Sequence, residues 1–534
     1  MNFNMKNFNI YIAVLAGLFL FGCSDLDTFP EGGTVTEDQK KEVVSKNPEM
    51  LRSDVTGLYA SLIKLNTLGG STTQHYDFGH AGVCLMLEAS GQDMPAPNSA
   101  YNWFSGSMIF DNRLETGNNP NFIWKSFYNH IKAANNILEI VTSDTEDPTL
   151  KSFRGQALAS RAFDYLHLAQ IYQFTYNENE DKPAVPIVTE KITQEQSKNN
   201  PRASLKDVYE LIIADLDEAI ILLETFNRPA KDVIDQKVAY GLRARAHLLM
   251  QNWQKAAQDA EKAMQGASPY SLQEISNPAF NSALASSWIW GNIISETNDV
   301  VRSGIVNWPS HLCSLTGNGY TTLTGTYRWI NNKLWDEIPS TDARKGWWVD
   351  QNLKSPLVDN MKVTSGGKEY SAAEWFKWDP YTNVKFGSYK DVPNNTLNAS
   401  DWPLMRAEEM ILIRAEGMAM SGNVAEAKAI LENFVRTYRD PSYTCNAASS
   451  IAMQDEIWFQ RRIELWGEGF SFFDLQRLRK PMDRSGATTF PEITRYNLPA
   501  ESKIFLWLIP ESEITANEGI SEAQNNERVN PPKI

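Results

Sequence analysis

Apolar residues recur every three or four positions through several long stretches of this chain, the spacing that lines one face of a helix. Leu51, Val55, Leu58 and Leu62 do so within residues 50–64, and Ile123, Phe127, Ile131, Ala134 and Leu138 within residues 121–141. Residues 153–172 and 204–223 carry the same period. In residues 237–264, Ala239, Leu242, Ala246 and Leu249 are followed, after Asn252, by Ala256, Ala260 and Ala263. Residues 403–439 give the clearest hairpin. Leu404, Ala407, Ile411, Ala415 and Met418 form one stripe, and Val424, Ala427, Leu431, Phe434 and Tyr438 form the next. Gly422 suits the left-handed turn between them, and Asn423 with Glu426 has the spacing of a capping box. Helical character returns in residues 453–480. Helices apolar on one side must stack against further hairpins to bury that side.

The small residues at the helix crossings of 237–264 and 403–439 resemble tetratricopeptide units, which are scaffolds without chemistry of their own. Between them, residues 266–400 lose the helical period and fill with Pro, Gly, Asn and aromatics. This stretch is expected to be a loop-rich insert with short strands. It holds nine of the 16 tryptophans: Trp288, Trp290, Trp308, Trp329, Trp335, Trp347, Trp348, Trp375 and Trp378. The fold class expected is therefore all-α dominated, a helical scaffold over residues 47–265 and 401–534 interrupted by the insert.

Ahead of the scaffold, the apolar run YIAVLAGLFLFG leads into Cys23. It is short for a membrane span and fits a secretory signal over residues 1–22. Leu20-Phe21-Gly22-Cys23 resembles a bacterial lipobox, which implies acylation of Cys23. Ser24-Asp25-Leu26-Asp27 looks like the acidic tag of lipoproteins exported to the cell surface. Residues 23–46, with Pro30 and Gly32-Gly33, are expected to form a flexible tether. With 50 basic and 65 acidic residues the net charge is −15, which disfavours a nucleic-acid partner. Beyond Cys23, only Cys84, Cys313 and Cys445 remain, too few and too far apart for a disulfide framework or a zinc site.

Residues 453–480 carry Arg461-Arg462-Ile463-Glu464-Leu465, Glu468-Gly469 and Phe473-Asp474-Leu475. This pattern resembles the SusD/RagB family of nutrient-binding outer-membrane lipoproteins. The lipobox, residues 161–172 with the Pro-Ile loop after them, and residues 208–223, 239–264 and 403–439 agree in order. So does the ending Phe505-Leu506-Trp507-Leu508-Ile509-Pro510. The resemblance implies a SusD-like domain over residues 47–534. It also implies a glycan ligand and delivery to a SusC-like TonB-dependent transporter, from a lipid anchor facing outward. A peptide ligand is the alternative within the family, and a glycan-degrading surface enzyme the alternative outside it.

No catalytic constellation supports an enzyme. Glu464 and Glu468 share a helix face at a spacing a glycosidase pair would use, but Arg461, Arg462, Asp474, Arg477 and Arg479 nearby suggest a structural ion-pair network. His75, Asp77 and His80 in HYDFGH lack further ligands for a metal site. No Walker, Rossmann or nucleophile-elbow pattern occurs, and no cofactor is expected. Aromatics beside amides remain. A pyranose C–H face packs on an aromatic ring, and amides then fix its hydroxyls. Two stretches offer that mixture: Tyr101, Asn102 and Trp103 in the first, and Trp308, Tyr320 and Trp329 in the second, with Asn318, Tyr327, Arg328 and Asn331 beside them. These six are the expected glycan contacts, whereas Trp335, Trp347, Trp348, Trp375 and Trp378 are expected to be scaffold.

Overall fold

The computed structural model of the chain describes residues 37–70 and 73–532, with side chains from residue 39 onward. Two compact units are present, Met1–Asn47 and Pro48–Ile534. The described part of the first is helix α1 (Glu37–Lys46). The end of the expected tether is thus helical: EDQKKEVVSK contains neither Pro nor Gly, and Glu42 pairs with Lys46 one turn on. Cys23 and the expected signal sequence lie outside the described residues.

The second unit opens with α2 (Arg52–Ser61), α3 (His80–Ser90), α4 (Asn118–Ile140) and α5 (Pro148–Tyr172). It continues with α6 (Leu205–Leu222), α7 (Gln236–Leu249) and α8 (Trp253–Ala263). After the insert come α9 (Ala407–Met420), α10 (Val424–Tyr438), α11 (Ser450–Glu464) and α12 (Ser471–Arg477). Several starts are fixed by side chains that satisfy otherwise unpaired N–H groups. Asp147 caps α5 ahead of Pro148, Ser204 caps α6, Asp235 caps α7 and Ser449 caps α11.

From α4 to α9 each helix packs on the next, and α9 then carries both α10 and α11. Small residues set the crossing distances. Ala256, Ala257, Ala260 and Ala263 are buried on α8, and a Cβ added at Gly417 of α9 would lie 2.4 Å from the Trp253 carbonyl oxygen. Gly422 takes the expected left-handed turn, with φ of 91°. Two local expectations fail here. Asn423 makes no side-chain cap, and Glu426 instead faces Arg414 at 3.8 Å. Residues 403–406 belong to a strand rather than to the first turn of α9, so Leu404 is buried from a strand.

That strand is β4 (Trp402–Arg406), which pairs antiparallel with β1 (Trp288–Asn292), setting Trp288 opposite Arg406 and Asn292 opposite Trp402. The insert is thereby stitched to the chain that leads into α9. Its other strands, β2 (Lys362–Ser365) and β3 (Lys368–Ser371), form a hairpin. Short helical turns such as Trp308–Leu312 and Tyr320–Thr324 connect them. Trp347, Trp348 and Trp378 are buried, while Trp335 and Trp375 are partly buried.

Candidate functional site

Two stretches far apart in sequence meet at one edge of the insert. The backbone N–H of Trp329 donates to the Pro95 carbonyl (2.9 Å), and that of Asn331 to the Asp93 carbonyl (3.0 Å). Arg328, buried beneath, completes the join. Its Nη1 donates to Asn102 Oδ1 (2.9 Å), and its Nε to the His311 carbonyl (3.1 Å). Asn102 itself is consumed by this task, since its Nδ2 donates to the Pro97 carbonyl and its Oδ1 also accepts from the Phe104 N–H. Burial pulls the Arg328 guanidinium down to about 9, and its charge sits against the Phe104 ring at 5.4 Å.

On this joint lies a cluster of rings. His75 stacks on Trp103 with centroids 4.6 Å apart and planes inclined 19°. The His75 Nδ1 is hydrogen-bonded to the Tyr320 hydroxyl. His311 stacks beneath Tyr320 at 4.8 Å, and its Nε2 donates to the His75 carbonyl (2.9 Å). Tyr101, 57% exposed, and Leu323, 65% exposed, stand at the rim. Burial lowers the His75 pKa, which favours the neutral ring. It raises that of the Tyr320 phenol, partly opposed by a hydrogen bond from Trp103.

The structure therefore brings Tyr101, Asn102, Trp103 and Tyr320 together, Asn102 as a brace rather than an exposed group. Trp308 is placed elsewhere. It is 1% exposed, its indole N–H donates to the Ser400 carbonyl (2.8 Å), and its ring packs on Trp402 and Phe386. As the first residue of a turn capped by Asn307, it points into the core. Trp329 is half-buried and tied down through its backbone. Tyr327, Arg328, Asn318 and Asn331 also hold loops: Tyr327 bonds the Phe376 carbonyl, Asn318 the Gly304 carbonyl and Asn331 the Gln92 carbonyl.

His75 and His311 are the members that sequence reasoning missed. In HYDFGH the histidines part company. Asp77 accepts from the Thr67 and Leu68 N–H groups, while His80 turns inward to His167 (3.1 Å). Among the described residues no group of three or more His, Cys, Asp or Glu side chains is arranged to hold a metal ion.

Glu464 and Glu468 lie in the interior. Arg439 donates to both oxygens of Glu464 (2.7 and 2.9 Å), and Arg344 approaches to 3.3 Å. Arg406 and Lys385 grip Glu468 at 2.8 and 2.7 Å, and Arg406 also reaches Glu408 at 2.8 Å. All seven side chains are at most 2% exposed. Burial opposes ionisation of Glu464, but Arg439, Arg406 and Arg344 outweigh it and hold the carboxyl well below its usual range. Glu468 is lowered likewise by Arg406 and Lys385 against its burial. The ion-pair reading holds with different partners, because the basic residues near in sequence face elsewhere. Arg461 pairs with Asp474, Arg462 with Asp93, Arg477 with Asp474 and Glu416, and Arg479 with Glu178 and Glu501. A general acid needs a raised pKa and access to substrate, and this pair has neither.

Two family models match the chain, one described as starch-binding and associating with the outer membrane, over residues 46–248, and one described as the SusD family, over residues 323–527. No protein with a curated description matched in sequence. Among solved structures, a SusD-like carbohydrate-binding protein from Bacteroides vulgatus is similar, with a TM-score of 0.72 and 24% identity over 90% of this chain and 98% of that one. A SusD superfamily protein from Bacteroides thetaiotaomicron gives 0.71 and 20%, over 90% and 99%. A laminarin-binding SusD-like protein gives 0.64 and 17%, over 90% and 99%. With both family models in chain order and the helical scaffold that these structures share, the chain belongs to the SusD/RagB family of outer-membrane-associated carbohydrate-binding proteins.

Proposed function

We propose that this chain is a non-catalytic surface lipoprotein, anchored through Cys23, that captures a glycan on the His75–Trp103–Tyr320 cluster. It delivers that glycan to a SusC-like TonB-dependent transporter. The observation that carries the reading is the group of rings, with Tyr101 exposed and Trp103 partly buried, set on a joint braced by Arg328 and Asn102. Such a surface suits the weakly positive C–H face of a pyranose, and its brace is made of buried groups of the protein itself, which reduces the ordering cost of binding. Family membership and the outer-membrane description of the first matching model support the location. Three domains follow: signal peptide 1–22, lipidated tether 23–46 and SusD-like domain 47–534.

The test is calorimetric titration of the purified soluble domain with laminarin, soluble starch, xylan and galactomannan. Laminarin and starch are chosen because one similar structure is of a laminarin-binding protein and one matching family is described as starch-binding. Each stacking ring contributes ~1–2 kcal/mol by analogy with bases on aromatic side chains, so Trp103→Ala should weaken binding about tenfold. A protein that binds none of the four, or a Trp103→Ala variant with unchanged affinity, refutes the proposal. Hydrolysis of any of them would refute its non-catalytic part.

A further inference from the structure

Resting on that reading, we infer that His75 is itself a ligand-contacting residue, and that the platform binds its ligand with His75 neutral. Two sides of the imidazole and the residue's own backbone are accounted for. Trp103 covers one face, the Tyr320 hydroxyl takes Nδ1, and His311 holds the backbone carbonyl. In the proposed arrangement the Tyr320 phenol donates its proton to Nδ1. A neutral His75 then carries its own proton on Nε2, the ring's remaining polar atom. That N–H is a donor fixed in direction by two neighbours, beside the indole on which a sugar ring would lie. It suits a hydroxyl or ring oxygen of that sugar.

Protonation would change this arrangement in two ways. The second N–H would turn Nδ1 from acceptor to donor, so the Tyr320 hydroxyl would have to reverse. A sugar covering the ring would also strip the water that solvates an imidazolium. The groups named around His75 offer that cation the indole face of Trp103 but no carboxylate. Trp103 and Tyr320 carry no charge, the imidazole of His311 is held neutral by burial, and Arg328 behind it is a cation. The nearest carboxylate in sequence, Asp77, is spent on the Thr67 and Leu68 N–H groups. The structure thus assigns His75 two roles, hydrogen-bond donor and pH sensor of the same surface.

The experiment titrates the four polysaccharides into wild type, His75→Phe and His75→Gln from pH 8 to pH 4.5, with melting curves at each pH. If only the neutral form binds, wild-type affinity falls about tenfold for each pH unit below the imidazole pKa, because affinity scales with the competent fraction. His75→Phe keeps the stacking ring but loses the donor, so it should bind several-fold more weakly at pH 7.5 and show a flat profile. His75→Gln, which keeps a donor without the titration, should bind more tightly than His75→Phe and also be flat. A wild-type pH profile that both variants retain, or full affinity in His75→Phe at pH 7.5, overturns this inference alone. Absence of binding to all four by wild type at pH 7.5 refutes the platform reading and this inference with it.

Discussion

Glu464→Gln removes one negative charge from the buried ionic cluster while keeping the side chain's shape. Around it, Glu408, Glu464, Glu468 and Asp342 balance Arg344, Lys385, Arg406 and Arg439. The variant leaves that balance one positive charge in excess, at a point where Arg439 and Arg344 have lost their ionised partner. Breaking a buried pair by removing one member typically costs ~3–5 kcal/mol, because the remaining charge stays desolvated. Unfolding entropy of ~2.1 cal/mol/K per residue gives about 1 kcal/mol per kelvin for a unit of about 490 residues. The expected fall in Tm is therefore ~3–5 °C, read by calorimetry at pH 7. The effect must also depend on pH with a definite sign. The folded carboxyl has a pKa below its ordinary value of 4.5, so its contribution is fully present above that value. It is lost progressively as pH falls from about that value through the folded pKa, so the gap between wild type and variant should narrow only on acidification below about 4.5. An unchanged Tm at pH 7, or a gap that closes on raising the pH, would refute the reasoning.

Trp308→Ala should cost ~3–5 kcal/mol of stability, as for a truncated core aromatic, with glycan affinity unchanged below the melting range; weakened affinity at constant Tm would return Trp308 to the binding face. Cys23→Ala should release the protein from the membrane fraction or leave an unprocessed precursor, and so reduce co-purification with the co-expressed transporter from detergent-solubilised membranes. Continued membrane attachment of that variant would refute the anchor.

Helices α4, α6 and α8 were legible because they are buried on one side, so their period survives in the residues themselves. Helix α3 shows the limit of that signal. All eleven residues of HAGVCLMLEAS are buried, so no polar face exists to reveal a period, and the segment passes unread. Residues 403–406 show the opposite error. Leu404 fits the helical stripe by spacing, yet pairing with β1 draws the segment into a strand, because tertiary pairing outranks a single periodic position. The carboxylates Glu464 and Glu468 were read correctly as structural from the density of nearby arginines. Their true partners lie 25 to 120 residues away and could not be named from spacing.

The binding face was half legible for a related reason. Aromatic and amide composition marks both stretches that meet there, but composition does not say which way a ring points. Trp308 and Tyr320 stand in the same run of aromatics, and only the turn at Trp308–Leu312, capped by Asn307, sends the first inward and leaves the second beside Trp103. Asn102 and Arg328 look from their types like ligand groups. They find each other first, and a buried guanidinium that loses such a partner would leave its N–H unsatisfied at a cost of ~1–3 kcal/mol. That cost holds them together as a brace of the joint. His75 reverses the case. Read with His80 it is only a metal site lacking ligands, and it joins the ring cluster only because Tyr320, 245 residues away, is its neighbour. Ring orientation is decided by such long-range contacts, so this site had to be read from the fold.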